Sequence, residues 1–303
     1  SRLRARRVRP RWVVAALAVF TAVFVYAVGE GVFPYYTSNH DEAVYLQQAA
    51  MLLEGQLYLY PPVEDVFKPW FFVEDGAALY AKYTPVTAAV FALGMVAGSA
   101  RLALAAVAAA TVALTYAVVA EVFDRETGVV AAFLLFLSPL FIVDVSVFLP
   151  YVPAFCLNLL FAWAYLRADR TGDVRFAALA GGSIGISFFA RPYTAVLFAT
   201  PFIAHALWTL RAGARDALVR QGTTAALGLG GVALALGYNT VVTGDPLVFP
   251  YQVFAPQDGP GFGHRQILGY ERDYTIALAL EANARNLLAY ATLGLAAGAA
   301  LVA

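Results

Sequence analysis

The sequence predicts an all-α polytopic membrane protein, and three observations carry that reading. Hydrophobic residues fill 61% of the 303 positions and charged residues 13%, where soluble domains average roughly 45–50% and ~25%; mean hydropathy is +0.69. Apolar runs of membrane length recur along the whole chain. Arginines gather in the short connections that a helix bundle would place on one side of a bilayer. With a formal net charge of zero, nothing in the composition suggests nucleic acid.

The first run, residues 12–29, carries no charge and approaches the ~20 residues needed to cross the hydrocarbon. Arg2, Arg4, Arg6, Arg7, Arg9 and Arg11 precede it, a basic flank expected to stay in the cytoplasm. The run is too long for the apolar core of a signal peptide, and no small-residue cleavage site follows, so it reads as a retained anchor. The chain begins at Ser1 and stops at Ala303 inside an apolar run. A longer parent protein is expected, with residues 1–303 forming one transmembrane domain.

Further runs occupy 102–122, 129–148, 152–166, 176–190, 193–210, 221–242 and 287–303. The run at 84–98 differs: it is short and holds two Thr, a Pro and two Gly, which suits an interfacial or re-entrant helix. If it does not cross, Arg125, Arg167, Arg170, Arg175, Arg211, Arg215 and Arg220 all face the cytoplasm, and Arg191 alone lies in the short outer connections. If it crosses, the bias inverts. The positive-inside rule therefore selects eight crossings. Loops 30–101 and 243–286 then share the outer side with the turns at 144–151 and 191–192.

The acidic pair Asp41-Glu42 follows the first crossing in the stretch Ser38-Asn39-His40-Asp41-Glu42. Asn39 reads as the N-cap of a helix over 41–54, with Glu42 completing a capping box and Gly55 stopping it. Acids in a first turn can simply answer the helix dipole. Spacing favours more: Asp41, Tyr45 and Gln48 share one face, with Leu46, Ala49, Ala50 and Leu53 free to lie in the interface. Such a polar face suits a lipid headgroup.

Lys82-Tyr83 precede Thr84-Pro85, where the chain turns back into the apolar layer. The lysine can snorkel to headgroups or meet a lipid phosphate as a point charge. Asp144, after Ser138-Pro139 and near the outer end of its run, is a carboxylate in or near lipid, by default a functional candidate. Arg191, in the Arg191-Pro192-Tyr193 turn, can anchor a helix end or clamp a phosphate. Loop 243–286 has no evident helix or strand and carries Tyr251, His264-Arg265 and Gly261-Phe262-Gly263, where one aromatic between two glycines reads as a sharp turn that places a ring; long ordered loops tend to be functional. His40 and His264 with Asp41 are the residues that offer ligands for a divalent metal, a weak signal from two scattered histidines. His205, inside an apolar helix, reads as a satisfied core residue. The single Cys156 reads as a small buried hydrophobe. No glycine-rich nucleotide fingerprint, triad spacing or CxxC is present, which favours a lipid-carried donor over a nucleotide sugar.

These features in this order resemble membrane glycosyltransferases of the GT-C fold, closest to the protein O-mannosyltransferase and aminoarabinose transferase group (glycosyltransferase family 39). The matching pieces are DEAVYLQQAAMLLEG from Asp41 to Gly55, Lys82-Tyr83-Thr84-Pro85, Ser138-Pro139, Arg191-Pro192 and the loop TGDPLVFPY…GPGFGHR. Two departures are visible. A single displaced proline follows Lys82, where the family usually has two. Asp144 lies seven residues ahead of Tyr151, near which the family tends to hold a second acid.

The resemblance implies a GT-C-like helix bundle whose large first outer loop carries interfacial helices. It also implies transfer of a sugar from a polyprenyl- or dolichyl-phosphate carrier to an acceptor outside the cytoplasm. Asp41 would be the general base, or would hold a metal that orients the acceptor, with Glu42 and Asp144 as further catalytic acids. Lys82, Tyr83, Arg191, Tyr45, Tyr251, His264 and Arg265 would contact substrate, with Lys82 and Arg191 on the carrier phosphate. The alternative is a multipass transporter or lipid flippase. Transporters set charges or broken helices near the midplane, whereas these crossings are nearly charge-free.

Overall fold

The apolar runs become helices, interrupted where proline or glycine ends the hydrogen-bond ladder. The computed structural model describes residues 9–35, 39–63, 66–211, 213, 215–259 and 261–302, and the protein is 72% helical. Ser38 and the arginines from Arg2 to Arg7 lie outside the described residues. Helix α1 (Pro10–Val32) opens on a proline at its first turn, where the missing N–H costs nothing. There follow α2 (His40–Leu53), a hairpin of β1 (Phe72–Asp75) and β2 (Ala78–Ala81), and α3 (Val86–Val96). Next come α4 (Ala100–Val122), α5 (Arg125–Phe136), α6 (Pro139–Ser146), α7 (Tyr151–Thr171), α8 (Val174–Ala190), α9 (Pro192–Arg211) and α10 (Arg215–Thr243).

Five of the described helices, α1, α4, α7, α9 and α10, are long and apolar enough to cross a membrane. The run at 129–148, expected as one crossing, is instead the pair α5 and α6, bent by 64°. Pro139 explains the break, because it supplies no N–H to the ladder and clashes with the preceding turn. Ser138 caps the new helix by accepting from the Phe141 N–H at 3.4 Å. Helix α8 has 17 residues, near the lower bound for a span. Helix α3 has only 11, a rise of about 16 Å, half of the ~30 Å hydrocarbon.

Small residues let the helices close on one another. A side chain on Gly231 of α10 would fall 2.3 Å from the backbone of Gly185 on α8, so the two backbones touch directly, as small-residue stripes permit in membranes. Gly29 near the end of α1 leaves room for the buried Arg101 of α4, whose guanidinium nitrogen would lie 2.7 Å from an added Cβ. One apolar core joins Leu17 and Val25 of α1, Phe91 of α3, Leu104 and Val112 of α4, and Phe148. A second, smaller core packs Val44 and Met51 of α2 on Phe72 and Leu79 of the hairpin.

Alternating helix directions sort the charges. At one end of the bundle Glu121 of α4 pairs with Arg167 at 2.9 Å and with Arg170 of α7, and Asp169 pairs with Arg220 of α10 at 2.9 Å. The other ends of α7 and α8 bring Tyr151 and Arg191 together, the guanidinium 4.9 Å from the ring centre. His205 of α9 is satisfied, its Nδ1 2.9 Å from the Tyr165 hydroxyl, yet it lies on an exposed surface of its helix and not in a core.

Residues 251–303 form a second compact unit. The expected loop is partly ordered: α11 (Pro250–Phe254) leads into a hairpin of β3 (Gly263–Ile267) and β4 (Tyr270–Tyr274), then α12 (Ile276–Val302). Gly261 and Gly263 have φ of 100° and 106°, so the sharp turn expected at Gly-Phe-Gly is present, with Phe262 exposed between them.

Candidate active site

The site is built on the first turn of α2 and the four residues Lys82 to Pro85. Asn39 caps α2, its side chain accepting from the Glu42 N–H at 3.1 Å, and this places Asp41 at the open end of the helix. The Asp41 carboxylate accepts from the Tyr83 hydroxyl at 2.8 Å. The same oxygen lies 3.2 Å from the ammonium of Lys82. Lys82 is only 4% exposed, while Asp41 keeps 37%, so the acid faces outward and the cation stands behind it. Two rings enclose the ammonium, Phe71 at 3.4 Å and Tyr83 at 4.7 Å from their centres. A buried ammonium needs such partners, because the desolvation cost of an unpaired one is several kcal/mol.

Tyr45 and Gln48, which share a face with Asp41, are buried against protein and not turned toward headgroups. Tyr45 stacks on Tyr83 with centroids 4.7 Å apart and planes 10° apart. Gln48 donates to the Tyr83 carbonyl at 3.0 Å. The spacing is as expected, but the partner is protein, because segment 82–85 passes over that face before α3 begins. Thr84 then donates to the carbonyl of Ala190 at 3.1 Å, which ties the segment to the turn that carries Arg191. Burial pushes the Tyr45 hydroxyl far above the ordinary tyrosine range; the charge of Arg191 opposes this, and those of Asp41 and Tyr151 add to it. Tyr45 is therefore a neutral hydrogen-bonding group beside both charges.

Glu42 behaves unlike its neighbour. It is 1% exposed, and the hydrogen bond seen at its carboxylate is not the local one of a capping box. It accepts instead from the N–H of Phe148 at 2.9 Å, locking α2 to the junction of α6 and α7. The Phe148 ring packs edge-on to Phe91 at 5.3 Å, with the guanidinium of Arg101 5.9 Å from its centre. Arg101 in turn pairs with Glu30 at 3.1 Å and donates to the carbonyl of Phe33. Both ends of the connection between α1 and α2 are thus pinned by buried charges.

Among the described residues, Arg191 has no hydrogen-bond or ion-pair partner for its half-buried guanidinium; it rests on Tyr151. Asp144 is half-buried on α6 and shares no hydrogen bond or ion pair with the Asp41 cluster among those residues. Tyr251, His264 and Arg265 belong to the second unit. There the Tyr251 hydroxyl donates to Asp258 at 2.6 Å, His264 faces Asp273 at 3.0 Å and Arg265 donates to the carbonyl of Phe262 at 2.9 Å. Tyr151 and Phe71 join the site without having been singled out as candidates. Tyr151 opens one apolar run just as Arg191 closes another, a symmetry readable in advance, whereas nothing in sequence marks Phe71.

The described residues do not by themselves compose a metal site. Asp41 already accepts from a hydroxyl and an ammonium, His40 lies face to face with Trp70 at 4.4 Å, and no three His, Cys, Asp or Glu side chains converge among the described residues.

The bond from Phe148 to Glu42 makes a prediction. Glu42→Ala strands a buried N–H and costs about 1–3 kcal/mol, whereas Glu42→Gln retains an acceptor oxygen. Thermal unfolding in detergent should show the alanine variant melting several degrees lower and the glutamine variant close to the parent; equal losses would contradict the assignment.

A comparison with curated proteins gives no match. The family model described as dolichyl-phosphate-mannose-protein mannosyltransferase matches residues 83–238, from the Tyr83 that binds Asp41 to the Tyr238 whose hydroxyl lies 3.5 Å from the Tyr83 carbonyl. This is more than half of the chain, and it contains Arg191, Tyr151 and the Phe148 junction. The chain belongs to the dolichyl-phosphate-mannose-protein mannosyltransferase family, membrane glycosyltransferases of the GT-C fold that use polyprenyl-phosphate sugar donors.

Proposed function

We propose that this protein moves a hexose from a polyprenyl-phosphate carrier to an acceptor hydroxyl on the extracytoplasmic face, with Asp41 as general base. The observation that carries the reading is the Asp41–Lys82–Tyr83 cluster, tied through Thr84 to the turn of Arg191. An ionised aspartate is a weak base, but it need only accept the proton as the acceptor oxygen attacks C1 of the sugar. The bond from C1 to the phosphate oxygen breaks, and its electron pair leaves with the carrier phosphate. That developing charge needs preorganised cations. Arg191, a planar fork with no ion-pair partner among the described residues, is suited to grip two phosphate oxygens. Lys82 holds the base in place from behind and adds positive charge to the same region.

The arginine-lined end of the bundle is the cytoplasmic end on this reading, by the positive-inside rule. In intact cells of a Cys156→Ser background, Leu247→Cys should react with an impermeant maleimide and Asp216→Cys should not. The opposite pattern would place the site on the cytoplasmic face.

The division of labour between the cations is tested by transfer in detergent from polyprenyl-phosphate mannose without any gradient. Arg191→Ala should slow turnover roughly 10²–10³-fold, equivalent to the ~2.7–4 kcal/mol lost with one oxyanion donor, with little change in melting. Lys82→Met should also lose transfer and should melt lower than the parent, since removing one partner of a buried pair leaves the other uncompensated. Transfer within about threefold of the parent in Arg191→Ala would remove Arg191 from the phosphate.

A further inference from the structure

Two aromatic rings beside Asp41 are unused by the transfer step. Trp70 lies parallel to His40, centroids 4.4 Å and planes 9° apart, and His40 immediately precedes the base. Phe71 stands edge-on to both, 6.0 Å from Trp70 and 5.8 Å from His40. The indole is 62% exposed, so one ring covers its inner face and the outer face is open.

The backbone is bent to make this arrangement. Phe71 has φ of 63°, in the left-handed region that bulky residues rarely occupy and that recurs at functional sites. Two contacts hold it there: its carbonyl accepts from the Lys82 N–H at 3.2 Å, and its ring covers the Lys82 ammonium at 3.4 Å. The twist thus links the aromatic pair to the same lysine that holds Asp41. A tryptophan serving only to anchor the loop in the interface would not need to stack on the residue before the base.

We propose that the Trp70–His40 pair is an acceptor subsite that stacks against the ring of a saccharide, which rests on the transferase reading given above. One face of a pyranose is a patch of polarised C–H groups, and an aromatic face carries the complementary negative quadrupole. The imidazole nitrogens add a hydrogen-bonding edge for ring hydroxyls. A sugar held flat on this pair has a hydroxyl beside Asp41, and such positioning accounts for much of the rate in bimolecular transfers. The pair offers a single open π face; an extended peptide would instead pair with a row of backbone donors and acceptors.

The test uses the purified full chain with polyprenyl-phosphate mannose. Methyl glycosides of mannose, glucose and galactose and a Ser/Thr-rich peptide serve as acceptors, and donor hydrolysis to water is measured separately. At least one glycoside is expected to accept sugar. Trp70→Ala should raise its KM about tenfold, as expected for loss of one aromatic contact, while donor hydrolysis stays within twofold of the parent. Trp70→Phe should recover most of the affinity. An unchanged glycoside KM in Trp70→Ala would make Trp70 an interfacial anchor and overturn the subsite. Transfer to the peptide alone would overturn the saccharide assignment. A parent protein that neither transfers nor hydrolyses the donor would refute the transferase reading itself, and the subsite with it.

Discussion

A lysine ammonium taken out of water organises this protein. Lys82 is almost fully buried, and a cation there must be neutralised and enclosed or the segment that carries it would not fold inward. Asp41 supplies the charge, and Phe71 and Tyr83 supply the enclosure. Each partner arrives from a different piece of chain: the first turn of α2, the residue before β1, and the entry to α3. One charge requirement therefore fixes three segments at once. Asp41 is left as the more exposed member, and an accessible carboxylate on a rigid support is what the proposed base needs.

The second constraint is the path of the chain at the same end of the bundle. Glu42 and Arg101 are both buried, and they meet the same residue from different sides, Glu42 through the Phe148 amide and Arg101 across its ring. Thr84 closes the circuit by satisfying a helix-terminal carbonyl of α8, one of the orphan acceptors every helix end leaves. The positions of Tyr151 and Arg191 follow from these ties. The opposite end is simpler, a set of ion pairs among Glu121, Arg167, Arg170, Asp169 and Arg220. Such pairs join helices but present nothing to a substrate.

The helices were legible in the sequence because apolar periodicity and run length are direct consequences of a lipid solvent. The N-cap at Asn39, the stop at Gly55 and the turn at Gly-Phe-Gly were legible for local reasons. What escaped was set by distant partners. Nothing within α2 tells Glu42 to cross 106 positions to the Phe148 amide, nor tells the Tyr45 face to pack on Tyr83 and not on headgroups. Pro139 was visible, but whether a proline kinks a span or splits it depends on what packs around it. The first hairpin was missed although its two-residue turn, Gly76-Ala77, carries glycine at the first position with positive φ, a known hairpin pattern, because strands of four residues carry little periodicity. Lys82 and Arg191 were both singled out for the carrier phosphate, and only distant partners separate them: Lys82 is buried against Asp41, whereas Arg191 rests half-buried on Tyr151.

Replacing Asp41 by asparagine tests the account most directly, because the change removes the charge while leaving an oxygen that can still accept from Tyr83. Transfer from polyprenyl-phosphate mannose should fall about 10²–10⁴-fold, the range a general base contributes. Donor binding should persist, because the phosphate ligands are untouched. Transfer within about threefold of the parent, by a protein that still binds donor, would contradict the central claim and leave Asp41 a mere counter-ion for Lys82.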